Sequence, residues 1–433
     1  MSAAGRAWRR RAAFYCCLLV PLAPLIVLAV AHRLFIRRKG LVGLKQKLTG
    51  AGPHAEPGAI LLHGVSLGEV QLMRPLLPQI ETALGTTCIP CTTTETGHAT
   101  ACEHFPGKPV QFLPLDLPWA VNHFLQRLRP RALVLLELEL WPMLLLACFQ
   151  RDIPVIVVNL RLSAGSYRGY RRAGALLRPL FARIDLALAQ NELWAARLRA
   201  LGARRVEVSG SMKADMVRRA DDAARDAEAQ RIGLPLGPAH TKQVFLIAST
   251  SGDEEAALIR SWQSWGQPQG WRCVICPRHP ERGAAIARAC RERGISVVQT
   301  STEDFTIDDS AVIIVDEIGR MGALYANAAI AVVGGSLGSG RGGQNMLEAA
   351  AAGCCTVVGP DTRNFPDAMA LLRAAGGVVE VDDSSLDSVL SRLAKREDER
   401  QRIGAAGTRA WQSGQGATDR VITRLHAQLS SEK

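Results

Sequence analysis

The sequence predicts an α/β protein of two doubly wound lobes, each a parallel sheet covered by helices on both faces, behind an N-terminal membrane anchor. Three observations predict it. Short apolar, β-branched runs alternate with amphipathic helical segments from residue 58 onward. The alternation breaks near Met216, passes through a charged segment ending in Gly-Leu-Pro-Leu-Gly-Pro, and restarts near Gln243. A run of twenty uncharged residues, 12–31, precedes both halves.

Twenty helical residues span about 30 Å, the thickness of a bilayer's hydrocarbon core. Arg9, Arg10 and Arg11 precede the run, and Arg33, Arg37, Arg38 and Lys39 follow it. A basic downstream flank disfavours cleavage as a signal peptide and export of that side, so the rest of the chain is expected to face the cytoplasm at the inner membrane. Pro21 and Pro24 leave a spanning helix and an interfacial anchor as alternatives. The anchor region also accounts for the overall charge. Of the net +12, residues 1–50 contribute ten Lys or Arg and no acid, leaving +2 for the remainder. The body is therefore not a general polyanion binder. With aromatics at 5%, a base-stacking surface is not expected and no nucleic-acid partner is assigned.

The chain holds 11 cysteines, an odd number that does not suggest a disulfide framework. Cys88/Cys91 and Cys273/Cys276 have CxxC spacing, but each pair lies in an apolar run that reads as a buried strand, with no further ligand nearby. No metal site is assigned.

In the first half the expected strands are 59–63, 86–90, 110–113, 132–137, 154–159, 186–189 and 206–209, with helices such as 69–83 and 173–182 between them. His63-Gly-Val-Ser-Leu-Gly-Glu69 joins the first strand to a helix. Gly64 and Gly68 permit a tight turn and close approach of a ligand. Glu69, with Ser66 three residues before it, is open to two readings. It is a carboxylate aimed into a cleft as a base, or an acid in a first helical turn, where the macrodipole lowers its pKa. Glu137-Leu-Glu139-Leu-Trp-Pro142 ends the fourth strand. Continued as a strand, it puts Glu137 and Glu139 on one face, either as a site or as a solvated edge. From 153 to 184 there is no acid, while Arg161, Arg168, Arg171, Arg172, Arg178 and Arg183 fall there with Tyr167 and Tyr170. This stretch is a surface for anionic lipid headgroups or a phosphorylated acceptor, or an ordinary solvated helix face.

The second half repeats the pattern with strands 244–248, 272–276, 296–299, 312–315, 330–334, 356–358 and 376–381. Four loops follow four of these strands: Pro277-Arg278-His279-Pro280, Ile318-Gly319-Arg320, Gly334-Gly-Ser336, and Arg341-Gly-Gly-Gln344-Asn345-Met346-Leu347-Glu348. Arg278 is placed to grip a phosphate, while Asn345 and Glu348, three apart at a helix start, suit sugar hydroxyls. Two such lobes are expected to hold ligand at the carboxyl ends of their strands, in a cleft between them.

In content and order these motifs resemble the Kdo transferases, which add 3-deoxy-D-manno-oct-2-ulosonic acid (Kdo) to lipid A precursors. The matching stretches are 63–70, 137–142, 159–172, 189–215 (with Gly210, Lys213 and Asp215), 248–255, 277–282, 318–325 and 334–367. The resemblance implies a GT-B architecture of two Rossmann-like lobes and an inverting, metal-independent transfer from CMP-Kdo to a lipid A precursor, lipid IVA, without a cofactor. It implies Glu69 as general base, and Pro277, Arg278, Ile318, Gly319, Arg320, Asn345, Met346, Leu347 and Glu348 as holders of the CMP donor. Ser66, Gly68, Glu137, Glu139, Arg161, Arg168 and Lys213 are expected on the acceptor side or in the cleft. Some positions depart from the usual pattern: Gln344 for a common His, Arg320 for Glu, and Met143 and Ser211 for Asn. Arg320 is expected to bring a positive charge beside the nucleotide. The alternatives are another nucleotide-sugar enzyme of the same architecture, a glycosyltransferase or an epimerase, and a non-catalytic sugar- or lipid-binding protein.

The expected organisation is an anchor over 1–45, an acceptor lobe over 46–215, a hinge over 216–240, a donor lobe over 241–400 and a helical tail over 401–433.

Overall fold

Runs that are apolar at every position suit strands covered on both faces, and that is how the chain uses them. The computed structural model describes residues 42–235, 243–250, 252, 254–302, 311–338 and 340–430. The expected anchor run, 12–31, and the end of the expected hinge, 236–240, lie outside the described residues. Among the described residues no helix is long and apolar enough to cross a membrane.

The first sheet comprises β1 (Ile60–His63), β2 (Cys88–Thr92), β3 (Gln111–Phe112), β4 (Ala132–Leu136), β5 (Val155–Leu160), β6 (Leu186–Ala189) and β7 (Val206–Val208). Its order is β3-β2-β1-β4-β5-β6-β7, all parallel. The second comprises β8 (Val244–Thr250), β9 (Arg272–Pro277), β10 (Val297–Gln299), β11 (Val312–Ile314), β12 (Ile330–Val333), β13 (Cys355–Val358) and β14 (Val379–Glu380). It too is parallel, in the order β10-β11-β9-β8-β12-β13-β14. Each expected strand has its counterpart. The strand expected over 376–381 is trimmed to Val379–Glu380, and β2 runs two residues past Pro90. Proline is tolerated there because β3 pairs with β2 only from Cys91 onward.

Alternation along each strand feeds two cores. Leu61, Leu133, Leu135 and Val157 face one side of the first sheet. Ile60, Leu62, Val134 and Ile156 face the other, against Leu72, Met73 and Leu76 of the helix Leu67–Leu84. In the second sheet Leu246 and Val274 point one way, and Phe245, Ile247 and Ile275 the other.

The chain divides into two units, one ending at Met216 and resuming at Gly416, the other spanning Val217–Gln415. Two expected boundaries read differently here. The segment read as a hinge begins, as its charge pattern suggests, with a helix, Asp222–Arg231, but Ala229 of that helix joins Ile232 and Leu234 in a core of the second unit. The segment read as a single tail is shared out. The helix Glu397–Gly414 belongs to the second unit. The helix Ala417–Ser430 returns to the first, burying Val421, Leu425 and Leu429 in the core formed with Leu67–Leu84.

Candidate active site

In the first unit the candidate residues gather where strands leave the sheet. The turn after β1 is tight because Gly64 has no side chain; a Cβ there would lie 2.8 Å from Glu69 Cβ and 2.8 Å from Met73 Cε. Ser66 caps the helix Leu67–Leu84 and Glu69 occupies its first turn. Ser66 Oγ donates to Glu69 Oε1 at 2.7 Å, and the Val65 N–H donates to Oε2 at 2.6 Å. Ser66 Oγ also accepts the Glu69 N–H at 3.4 Å, a variant of the capping box in which the carboxylate takes the N–H of the residue before the cap. Glu69 is only 8% exposed. Burial raises its pKa, the Ser66 and Val65 hydrogen bonds oppose that, and the charge of Glu137 adds to the rise. On the helix-end reading this pKa is lowered; desolvation instead outweighs the opposing hydrogen bonds and the net shift is upward. Gly68 is exposed, and a Cβ there would approach only Ser66 Oγ, at 3.8 Å, so no close approach requires glycine at that position.

Glu137 and Glu139 do not share a strand face. β4 ends at Leu136, and Glu137 adopts a left-handed backbone, φ 60°, which turns the chain out of the sheet. The carboxylates nevertheless gather. Burial raises the Glu139 pKa, and the charges of Glu69 and Glu137 add to it. Asn159, at the end of β5, is also left-handed, φ 53°, and fully buried. Its Oδ1 accepts the Met212 N–H at 3.1 Å, which fixes the loop bearing Lys213. Asp215 holds the same loop from its other end, accepting the N–H groups of Gly416 at 2.7 Å and Thr418 at 2.6 Å. Lys213 is half-buried. Arg161 lies 5.9 Å from the Trp194 ring centroid. Arg168 is exposed on the helix Ala164–Arg172 with Arg171 and Arg172.

In the second unit the loops after β8, β9, β11 and β12 carry the candidates. Gly334 is required by close approach, since a Cβ there would lie 2.6 Å from Thr250 Cα. The buried carboxylate of Glu254 accepts the N–H groups of Gly335 at 2.8 Å and Leu337 at 2.9 Å, shaping the glycine loop. Ser249, at the end of β8, is left-handed (φ 52°) and hydrogen-bonded to the fully buried Tyr325. Asn345 caps the helix Met346–Ala352, and its Nδ2 donates to Glu348 Oε1 at 3.0 Å. Burial raises the Glu348 pKa, and Asn345 and the charge of Arg278 oppose it. Arg278 is exposed, with its N–H tied to the Thr250 carbonyl at 2.9 Å; Pro277, Met346 and Leu347 are buried. Ile318 is 89% exposed at the tip of its loop, and Gly319 is left-handed, φ 89°. Arg320 does not stand free beside a ligand. Its Nε donates to Glu317 Oε2 at 2.9 Å.

Sequence reasoning assigned no role to Asn159, Asp215 or Glu254. Each acts through backbone groups distant in sequence. All three lie within the stretches that carry the family resemblance, where Asp215 stood out by name, but none of these contacts shows in the local sequence.

Two parallel α/β sheets with loop-built sites at their strand ends define the architecture shared by nucleotide-sugar glycosyltransferases and epimerases. The UDP-GlcNAc 2-epimerase of Neisseria meningitidis matches at 15% identity with a TM-score of 0.54, over 85% of this chain and 99% of that one. Acinetobacter baumannii MurG matches at 11% identity with a TM-score of 0.55, over 86% and 100%. These likenesses bear on the fold alone. Residues 37–216 match the family model described as 3-deoxy-D-manno-octulosonic-acid transferase (kdotransferase). The Bordetella pertussis 3-deoxy-D-manno-octulosonic acid transferase is 35% identical over 86% of this chain and 87% of its own length. The Haemophilus influenzae protein of the same name is 30% identical over 86% and 88%. The chain belongs to the 3-deoxy-D-manno-octulosonic acid transferase family and is a glycosyltransferase.

Proposed function

We propose that this enzyme transfers Kdo from CMP-Kdo to a sugar hydroxyl of a lipid A precursor, with inversion and without a metal, at the cytoplasmic face of the inner membrane. Glu69 takes the proton of the attacking hydroxyl, that oxygen bonds to the anomeric carbon of Kdo, and the bond from that carbon to the CMP phosphate breaks. CMP leaves as an anion, which Arg278 stabilises. The observation that carries this reading is the state of Glu69. It is a buried carboxylate with a raised pKa, held at both oxygens, on a turn that only glycine at 64 permits. A raised pKa makes a stronger base, and fixed oxygens lower the entropic cost of alignment.

Several features support the donor and acceptor assignments. Glu348 and Asn345 offer a carboxylate and an amide for sugar hydroxyls, with Arg278 near enough to influence Glu348. Arg168, Arg171, Arg172 and Arg178 are exposed and have no ion-pair partner among the described residues, as a surface for lipid phosphates requires. The uncharged run 12–31 between basic clusters is the membrane anchor of this proposal. The test is incubation of the full-length protein with CMP-Kdo and a tetra-acylated lipid A precursor, read by mass spectrometry. A mass gain equal to one or more Kdo residues supports the reading. Unchanged acceptor, with CMP-Kdo still bound, refutes it in favour of a binding protein.

A further inference from the structure

Arg320 is the departure in the donor loop that the proposed chemistry leaves unexplained. Its Nε donates to Glu317 Oε2 at 2.9 Å, and its Nη1 lies 3.6 Å from Glu228 Oε2. Both carboxylates also face a second cation. Arg231 Nη1 donates to Glu317 Oε1 at 2.9 Å. Arg231 also grips Glu228 with two bonds, Nη2 to Oε1 at 2.6 Å and Nε to Oε2 at 3.1 Å. Two guanidinium groups and two carboxylates therefore close a ring without net charge. Its four members come from two separate stretches of chain: Glu228 and Arg231 from the helix Asp222–Arg231, Glu317 and Arg320 from the loop after β11.

The ring is not a loose surface pair. Glu228 is only 4% exposed, so loss of its partner strands a buried charge. The same helix also holds the far end of this segment, because Asn327 Nδ2 donates to the Arg225 carbonyl at 2.8 Å. The segment from Glu317 to Asn327 is thus pinned to one helix at both ends. Between the pins lie Ile318, 89% exposed, and Gly319, with φ 89°. Without an external brace, an exposed tip containing glycine would lose much conformational freedom on binding a ligand.

We infer that the helix Asp222–Arg231 is a positioning element for the nucleotide donor, and that Arg231 and Glu228, through the ring with Glu317 and Arg320, hold the 318–320 loop ready to receive it. The inference rests on the CMP-Kdo reading. Arg231 and Glu228 touch no substrate and act through the loop. The segment expected to serve as a hinge therefore takes part in donor binding, and the cation at 320 is spent within the ring instead of on a phosphate.

A preorganised loop makes a specific demand. Its loss weakens binding of the ground state and the transition state alike, so KM rises while kcat stays. The experiment uses the full-length protein, with CMP alone titrated calorimetrically and CMP-Kdo turnover measured at saturating acceptor. Arg231→Gln and Glu317→Gln are each expected to weaken CMP binding about tenfold, the scale of coupling between members of one ion-pair network. KM for CMP-Kdo rises by the same factor and kcat stays within about twofold. Arg231→Lys, which keeps the charge but not the two-bond grip, recovers part of the loss. The double variant loses less than the product of the single losses. If both single variants bind CMP as tightly as wild type, or if the loss falls on kcat instead, the inference is wrong. Should Arg231→Gln fail to fold, Glu317→Gln carries the same test. Wild type that binds no CMP overturns the donor reading and this inference together, which separates that failure from failure of the ring alone.

Discussion

Ser66 and Glu69 close on each other across the first turn of the helix Leu67–Leu84: the serine hydroxyl donates to one carboxylate oxygen at 2.7 Å, and the Val65 N–H fills the other at 2.6 Å. One motif thereby does two jobs. It starts the helix, and it fixes an almost fully buried carboxylate at the carboxyl edge of the first sheet.

The pH dependence of turnover follows from this geometry. The proposed general base, Glu69, must be ionised to act, and burial together with the charge of Glu137 raises its pKa. The acid limb of kcat is therefore expected above the ordinary glutamate value of about 4.3. Replacing Glu137 with Gln removes a repelling charge, so the limb moves to lower pH. An acid limb that stays in place in Glu137→Gln argues against coupling between these two carboxylates.

His63 gives a stability prediction of the opposite kind. It is fully buried at the end of β1, and burial lowers its pKa to about 4, with the Cys91 carbonyl pulling the other way. The unfolded chain, with an ordinary histidine near 6.5, binds the proton more readily. Stability therefore falls as pH drops from about 6.5 to about 4, by up to roughly 3 kcal/mol from this residue. Urea midpoints across that window should drop for wild type and flatten for His63→Gln.

The helix Ala417–Ser430 is part of the first unit's core, with Leu425 1% exposed. Leu425→Ala is expected to cost about 2–5 kcal/mol by cavity formation and lost burial. Chemical denaturation should find a cost of that size; one below about 0.5 kcal/mol would mean that the helix does not pack on Leu67–Leu84 in solution.

Glu254 shapes the glycine loop by accepting the Gly335 and Leu337 N–H groups. In Glu254→Gln one of those donors meets an amide NH2 instead of an oxygen. An unsatisfied buried donor costs about 1–3 kcal/mol. The loss should appear in denaturation midpoints and as a raised KM for CMP-Kdo.

The sheets were legible in the sequence because strands buried on both faces leave continuous apolar runs, as in Ala132–Leu136. Glu69 was legible for a local reason too, since it stands in the first turn of a helix that opens directly after a strand and a glycine-bearing turn. Its raised pKa was not, because burial depends on packing against distant chain. The turn at Glu137 was missed because strand alternation assumes an extended backbone, and the residue is left-handed. The return of the last helix was hidden by distance: the Arg131 guanidinium donates to the Leu429 carbonyl, 298 residues away. The ring of Glu228, Arg231, Glu317 and Arg320 was hidden likewise. Arg231 and Glu317 are 86 residues apart, and no periodicity within either stretch couples them.

Everything in the proposed mechanism turns on the proton transfer assigned to Glu69. The most direct measurement compares wild type with Glu69→Gln, using CMP-Kdo and a tetra-acylated lipid A precursor at saturation, with CMP affinity measured on the same samples. Loss of general-base catalysis predicts a fall in kcat of about 10²–10⁴-fold, with CMP binding unchanged. A Glu69→Gln enzyme that turns over at the wild-type rate would contradict the account and leave the base to be sought at Glu137 or Glu139.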